Sequence, residues 1–189
     1  MKRILSLSLV CMMILSCSEN KNYVIEGTFE NEKYDGEYVF LLPLDGVMPR
    51  IIDSVQVKDR SFVFTGKADS AQMKIIRMRH LLRLDIQELL VVVEPGNIWV
   101  RLDTVSAAGG TPQNEKLQAW KEVKMQSDET MNLLKRMSQT DVDQETAGRI
   151  SEQWEKIQAD FKKYSLQFIE ENRGTAVGRF VSDMTGGSQ

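Results

Sequence analysis

Leu89-Leu90-Val91-Val92-Val93-Glu94-Pro95-Gly96-Asn97-Ile98-Trp99-Val100-Arg101-Leu102-Asp103 is the stretch on which the fold turns. Within Gln87–Glu94 the residues Leu89 to Val93 are a short apolar run rich in valine, and Asn97–Asp103 alternates polar and apolar residues except at Trp99. Both patterns are those of strands. Between them Pro95 fixes its own φ and Gly96 tolerates a positive one, which suits the two central positions of a type II turn and predicts a hairpin. Upstream the same texture continues. Tyr23–Glu30, Glu37–Leu44, Arg50–Val57, Ser61–Lys67 and Gln72–Arg79 are short β-prone runs, with turn residues at the roughly 8–12-residue spacing of all-β domains. Lys58-Asp59-Arg60 reads as a turn, predicting a second hairpin between the third and fourth runs. No helical pattern separates any two runs, which argues against a parallel sheet and for an antiparallel sandwich or partly open barrel over residues 23–109.

Downstream, the texture changes at Gly109-Gly110, read here as a hinge. Thr111-Pro112 looks like an N-cap followed by proline at the first helical position. Leu117, Trp120, Val123 or Lys124, Met131, Leu134 and Met137 then share one helical face, with Ser127-Asp128 as an expected interruption. A second helix is expected from near Thr140 or Asp141 to Asn172. Its residues Ile150, Trp154, Ile157, Phe161, Tyr164 and Phe168 form an apolar seam of coiled-coil spacing. Asn172-Arg173-Gly174 should end it with glycine in a left-handed cap, followed by a short amphipathic turn holding Val177, Phe180, Val181 and Met184. The expected class is α+β. A β-sandwich over 23–109 is followed by an antiparallel helix pair over 110–184, packed seam to seam or on the sheet, and a disordered tail over 185–189.

Composition narrows the chemistry. The 189 residues hold 27 acidic and 24 basic side chains, one histidine and two cysteines. One histidine cannot build a multi-histidine metal site, and two cysteines cannot complete a four-thiolate one. A net charge of −3 gives no electrostatic footprint for nucleic acid.

The N-terminus is the most specific signal. Met1-Lys2-Arg3 is a short basic start and Ile4 to Leu15 an apolar run too short to span a bilayer, so residues 1–16 read as a secretory signal. Ile14-Leu15-Ser16-Cys17 resembles the bacterial lipobox. That resemblance implies cleavage between Ser16 and Cys17, a diacylglycerol thioether on Cys17, acylation of the new α-amine, and a lipidated tether over 17–22. Cys11 would leave with the signal. Loss of Lys2 and Arg3, and of no acid, leaves 22 basic and 27 acidic side chains, a net of −5. No free thiol then remains for a disulfide, a redox pair or a cysteine nucleophile. Ser18 rather than aspartate after the cysteine implies, by resemblance to sorting rules, the outer membrane facing the periplasm.

Other candidate groups read as structural. His80, in Arg77-Met78-Arg79-His80, has no marked nucleophile or orienting carboxylate beside it. Lys74, Arg77, Arg79 and Arg83 read as a solvated face balanced by Asp85 and Glu88. Asp141, Asp143 and Glu145 fit a helix's first turn, where acids complement the macrodipole, and lack a calcium-loop pattern. Glu170-Glu171 is a second acidic pair without such a pattern. Trp120, Trp154 and Tyr164 read as packing residues rather than a sugar platform. Gly109-Gly110 is not a phosphate loop, because no lysine and serine follow at the required spacing. No catalytic, cofactor or metal residue is assigned.

The order of Glu94-Pro95-Gly96-Asn97, an intervening strand, Gly110-Thr111-Pro112-Gln113-Asn114 and paired helices closing in Phe168-Ile169-Glu170-Glu171-Asn172 resembles a known arrangement. It is similar to the domain of unknown function that precedes a thioredoxin-like domain in many Gram-negative lipoproteins of the peroxiredoxin and thiol-disulfide interchange type. The resemblance covers most of residues 23–184. In that family the chain would continue from about Val177 into a fold carrying Cys-x-x-Cys, which this sequence lacks, so no family catalytic residue is carried over. The expected function is a membrane-anchored, non-enzymatic binding or interaction module for a periplasmic protein, displaying sheet edges or the helical seam. The alternative is an accessory or truncated half of a thiol-disulfide oxidoreductase.

Overall fold

A computed structural model of the chain describes residues 21–44, 51–79, 82 and 85–186. Eight strands come first: β1 Asn22–Phe29, β2 Tyr38–Pro43, β3 Asp53–Gln56, β4 Ser61–Lys67, β5 Gln72–Met78, β6 Leu89–Val93, β7 Gly96–Leu102 and β8 Ala107–Gly109. Three helices follow: α1 Pro112–Ser138, α2 Gln144–Glu171 and α3 Ala176–Met184. The strands form two four-stranded sheets, β4-β1-β7-β8 and β3-β2-β5-β6. The α+β reading holds, with two corrections to the strand pairing.

First, neither expected hairpin extends along its strands. β6 pairs with β5 in the second sheet, while β7 lies between β1 and β8 in the first. Glu94-Pro95-Gly96-Asn97 is therefore a corner between sheets. The cause lies in the two burial patterns. β6 is apolar and covered on both faces, whereas β7 alternates exposed and buried residues, so the two cannot share one sheet environment. Lys58-Asp59-Arg60 does form a tight turn, with reciprocal backbone bonds between Lys58 and Ser61 of 2.9 and 3.0 Å. The pairing stops at that bridge, because β3 continues beside β2 and β4 beside β1. Second, β1 and β7 run parallel, from Tyr23 opposite Gly96 to Phe29 opposite Leu102. Every other strand pair is antiparallel. The chain spans the whole of β2 to β6 between these parallel partners, so no helical crossover is needed.

Ile25, Phe62, Phe64, Ile98 and Val100 of the first sheet meet Val39, Leu41, Ile76, Leu89 and Val91 of the second in one core. The helices cover the opposite face of the second sheet, where Leu117, Trp120, Phe168, Val177, Phe180 and Val181 pack with Val92. This settles the helix pair's place on the sheet and adds α3 as a third packed helix. α1 runs uninterrupted through Ser127-Asp128, because both polar side chains are satisfied along the helix. Ser127 Oγ donates to the Val123 carbonyl at 2.9 Å, and Asp128 pairs with Lys124 at 2.6 Å. Gly174, at φ +80°, gives the expected left-handed stop after α2.

Candidate functional site

The first sheet repeats one device three times: an aromatic ring laid across a glycine on the neighbouring strand. Phe62 faces Gly27, Tyr23 faces Gly66 and Trp99 faces Gly109, each pair directly opposite in register. A Cβ added to Gly27 would stand 1.9 Å from Phe62 Cζ, and one on Gly66 would stand 2.6 Å from the Tyr23 hydroxyl oxygen. One on Gly109 would stand 2.5 Å from Trp99 Cζ2. At Gly27 and Gly66 the missing side chain is the space the ring occupies; at Gly109 the Trp99 ring shares that space with the Glu115 carboxylate, whose Oε1 would also stand 2.5 Å away. Phe62 and Tyr23 point into the core, 3% and 9% exposed. Trp99 points the other way and is 46% exposed.

The turn beneath Trp99 is built for close approach. Gly110 sits at φ +91°, and a Cβ there would stand 2.5 Å from the Asn97 carbonyl oxygen and 3.1 Å from Trp99 Cδ1. Glu115, in the first turn of α1, accepts from the Gly110 N–H at 2.6 Å. Gly109-Gly110 is thus a seat rather than the expected hinge: Gly109 ends β8 and Gly110 makes the turn into α1.

The sheet face around Trp99 is open. Glu26 lies directly opposite Trp99 on β1 and Val63 directly opposite Glu26 on β4. Asn97 and Arg101 flank Trp99 two residues away along β7, on its side of the sheet, and Thr28 lies beside Arg101. Glu26, Thr28, Val63, Asn97, Trp99 and Arg101 are all exposed. Glu26, Asn97, Arg101 and the Trp99 indole N–H have no side-chain hydrogen bond or ion pair among the described residues. A flat ring with one face against backbone and the other in solvent, rimmed by acceptors and donors, can stack on a ligand and hydrogen-bond its edges.

On the far side of the second sheet, Glu94, 8% exposed, accepts from the Gln113 backbone N–H and from Gln113 Nε2, both at 2.8 Å. Its carboxylate therefore stands at the N-terminus of α1, where anions are favoured. Gln113 Oε1 accepts from the Val177 N–H at 3.2 Å. Asn114 closes the edge of β6 as a strand would, accepting from Val92 N–H at 2.9 Å and donating to the Val92 carbonyl at 2.7 Å. It donates also to Thr111 Oγ1 at 2.8 Å, so the N-cap hydroxyl holds a side chain and not the helix backbone. These residues form the joint between strand, helix and helix.

A domain-of-unknown-function family, DUF4369, matches residues 23–117, from the first residues of β1 into α1. The chain belongs to the DUF4369 family. None of the curated proteins matches it. The DUF4369 match takes in both sheets, the Trp99 face and the strand–helix joint, and ends at Leu117 before most of the helical layer.

The remaining sequence candidates distribute around this DUF4369 body. Ser16, Cys17, His80 and Arg83 lie outside the described residues. Arg77 pairs with Glu88 at 3.5 Å, as expected, and Arg79 with Glu37 at 2.5 Å, whereas Asp85 faces Lys33 at 3.6 Å rather than the basic run. α2 starts at Gln144 rather than near Thr140 or Asp141, so Asp141 precedes the helix, Asp143 is its N-cap and only Glu145 lies in its first turn. Bonds from the Thr146 backbone N–H and hydroxyl hold the Asp143 carboxyl below the usual range. Trp120 is buried, donates from Nε1 to Ser165 Oγ at 3.2 Å, and meets the Phe161 ring at 5.9 Å. α1 thereby takes up part of the α2 seam, leaving Trp154, Ile157, Phe161 and Tyr164 half-buried. Among the described residues, no group of three or more histidine, cysteine, aspartate or glutamate side chains could hold a metal ion, and no helix is long and apolar enough to cross a membrane.

Sequence reading missed Trp99, since alternation marks it only as outward-facing. The signal that finds it is a tryptophan at a solvent-facing strand position, followed ten residues later by a glycine pair.

Lys121 was also missed. It lines a cleft of about 340 Å³ with Gln87, Ser106, Gln118 and Met125, and donates to Gln118 Oε1 at 3.2 Å. Burial lowers its amine to about 8, and nearby Glu122 only partly opposes this.

Proposed function

We propose that this DUF4369 protein is a lipid-anchored component of the cell envelope, held through Cys17 at the periplasmic side of the outer membrane, and that its body works there as a non-catalytic binding module. One observation carries the binding half of this reading. Trp99 is a large, rigid aromatic side chain held half in solvent by a glycine seat, at the centre of a sheet face that no described helix covers. Tryptophan in such a position is the residue type that dominates recognition surfaces. The anchoring half rests on Ile14-Leu15-Ser16-Cys17. Three acyl chains supply the more-than-one lipid signal that stable attachment needs.

Two substitutions test the halves separately. Cys17→Ala should release the protein from the membrane fraction and abolish fatty-acid labelling; unchanged retention and labelling sinks the anchor. Trp99→Ala, with circular dichroism unchanged, should abolish ligand-dependent protection of the Glu26–Thr28 strand in cell-envelope extracts. Protection that survives it removes the Trp99 face from the function. The thiol-disulfide alternative, in which this body serves a thioredoxin-like chain, has only the sequence resemblance behind it. Recovery from gently solubilised membranes without such a chain counts against it.

A further inference from the structure

We infer that the occupant of the Trp99 face is a carbohydrate, with one pyranose ring of a neutral oligosaccharide stacked on the indole. This inference rests on the binding-module reading above and names its ligand class. A pyranose presents a face of C–H groups, which suits the open π-face of Trp99, and an equator of hydroxyls, each both donor and acceptor. The rim around Trp99 matches that equator. Glu26 accepts, Arg101 donates and Asn97 does both, and none of the three has a side-chain partner among the described residues. Neighbouring positions stand about 5 Å apart across the strands and about 7 Å along them, so all three border the ring that Trp99 supports.

The charge pattern argues against other occupants. Two carboxylates, Glu26 and the Glu115 group held on the Gly110 N–H, and one guanidinium, Arg101, border the ring, so the face gathers no positive charge with which to select an anion. The core of a protein–protein interface is depleted of carboxylates, whereas here Glu26 lies directly opposite Trp99 and Glu115 stands beside its ring. Glycine under the ring also leaves the indole flat and unobstructed. A single stacked ring on an open face implies weak binding, with Kd of the order of 1 mM per site. Many copies displayed side by side on a membrane would bind a polymer of such rings far more strongly.

The test uses the full chain, purified in detergent, with cellohexaose, chitohexaose, maltohexaose and mannohexaose as probes. At least one should bind, shift tryptophan emission to the blue and lower iodide quenching. Trp99→Ala should weaken that binding at least about 10-fold and Trp99→Phe less, while Glu26→Gln and Arg101→Met each weaken it by about 3- to 10-fold, the worth of one hydrogen bond. Circular dichroism of each variant should match the parent. Absence of binding by all four probes, or binding that survives Trp99→Ala, overturns the inference. A photo-crosslinker at Thr65, on the same face, separates the two readings in cells. A protein adduct that vanishes with Trp99→Ala, together with no sugar binding, overturns the carbohydrate while leaving the binding module standing. Neither adduct nor sugar overturns both.

Discussion

Two faces of the first sheet use one pairing for opposite ends. On the inner face Phe62 covers Gly27 and joins Phe29 and Phe64, with ring centroids 5.8 and 5.7 Å away, and Tyr23 covers Gly66 close by. On the outer face Trp99 covers Gly109 and has solvent above it. The contact between ring and glycine is similar in all three; what lies on the ring's other side differs. A ring enclosed on both sides contributes its whole area to stability. A ring enclosed on one side contributes part of its area and keeps the rest for a ligand.

That difference is open to direct attack. Phe62→Ala should cost about 3–5 kcal/mol, the range for a large-to-small change in a packed core. Trp99→Ala should cost about 1 kcal/mol, because much of the indole is already hydrated. Urea unfolding of the two variants measures both, and equal losses would erase the distinction. The glycines give the next largest effect. Gly27→Ala forces a methyl group into a ring that has nowhere to go, and should cost about 1–3 kcal/mol. Gly109→Ala meets two exposed groups that can move, the Trp99 ring and the Glu115 carboxylate, so it should cost less and shift tryptophan emission to the red. A Gly109→Ala penalty as large as that of Gly27→Ala would mean that Trp99 is locked.

Lys121 tests whether β8 is held from the helix side independently of Trp99. Its amine bonds Gln118, whose Oε1 also accepts from the Ala108 N–H of β8 at 3.4 Å. With the folded value near 8 and the unfolded one near 10.5, the unfolded chain binds more protons between these limits. Stability should therefore rise with pH from about 8 to 10.5, and the cost of burying the charge is fully present below 8. Lys121→Met should accordingly stabilise the protein by roughly 1–2 kcal/mol at pH 7, with the gain fading as pH approaches 10.5. Thermal unfolding at pH 7 and pH 10 checks the sign. A change in Trp99 emission on the same substitution would show that the two sides of β8 are coupled.

Legibility from sequence followed the range of the interaction. Seven strands, the caps at Thr111 and Gly174 and the apolar faces of three helices rest on periodicity and on backbone preference, and the residues themselves carry both. The two corners were not legible, since Pro95-Gly96 and Asp59-Arg60 are turn residues in a hairpin and in a corner alike. What decides between them is the partner strand, which for β1 and β7 lies the whole of β2 to β6 away. Gly109-Gly110 looked like a hinge, and no strand was expected over Ala107–Gly109, because small residues carry little strand propensity; Trp99 covers Gly109 from across the ladder. Glu94, Gln113 and Asn114 could be recognised as a pattern. Their role as a joint depends on carbonyls and N–H groups that sequence does not display.

The smallest expected effect lies at the turn where the inner face begins. Asp59 and Arg60 both adopt positive φ, 50° and 58°, as a type I′ turn requires, and neither is glycine. Each left-handed non-glycine residue costs about 1 kcal/mol, and here backbone bonds hold the strain in place. The Arg60 N–H donates to Asp35 Oδ1 at 2.8 Å, and the Arg60 carbonyl accepts from the Phe29 N–H at 2.9 Å. Arg60→Gly keeps both bonds and removes the Cβ clash, while glycine's freedom in the unfolded chain offsets part of the gain. The net should be a stabilisation of about 0.5 kcal/mol, read as a higher urea midpoint with an unchanged slope. Because this turn is tied to the end of β1 beside Phe62, the gain belongs to the inner face alone. Tryptophan emission and sugar binding should therefore stay where they were, and movement in either would show that the enclosed and open rings of this sheet do not act independently.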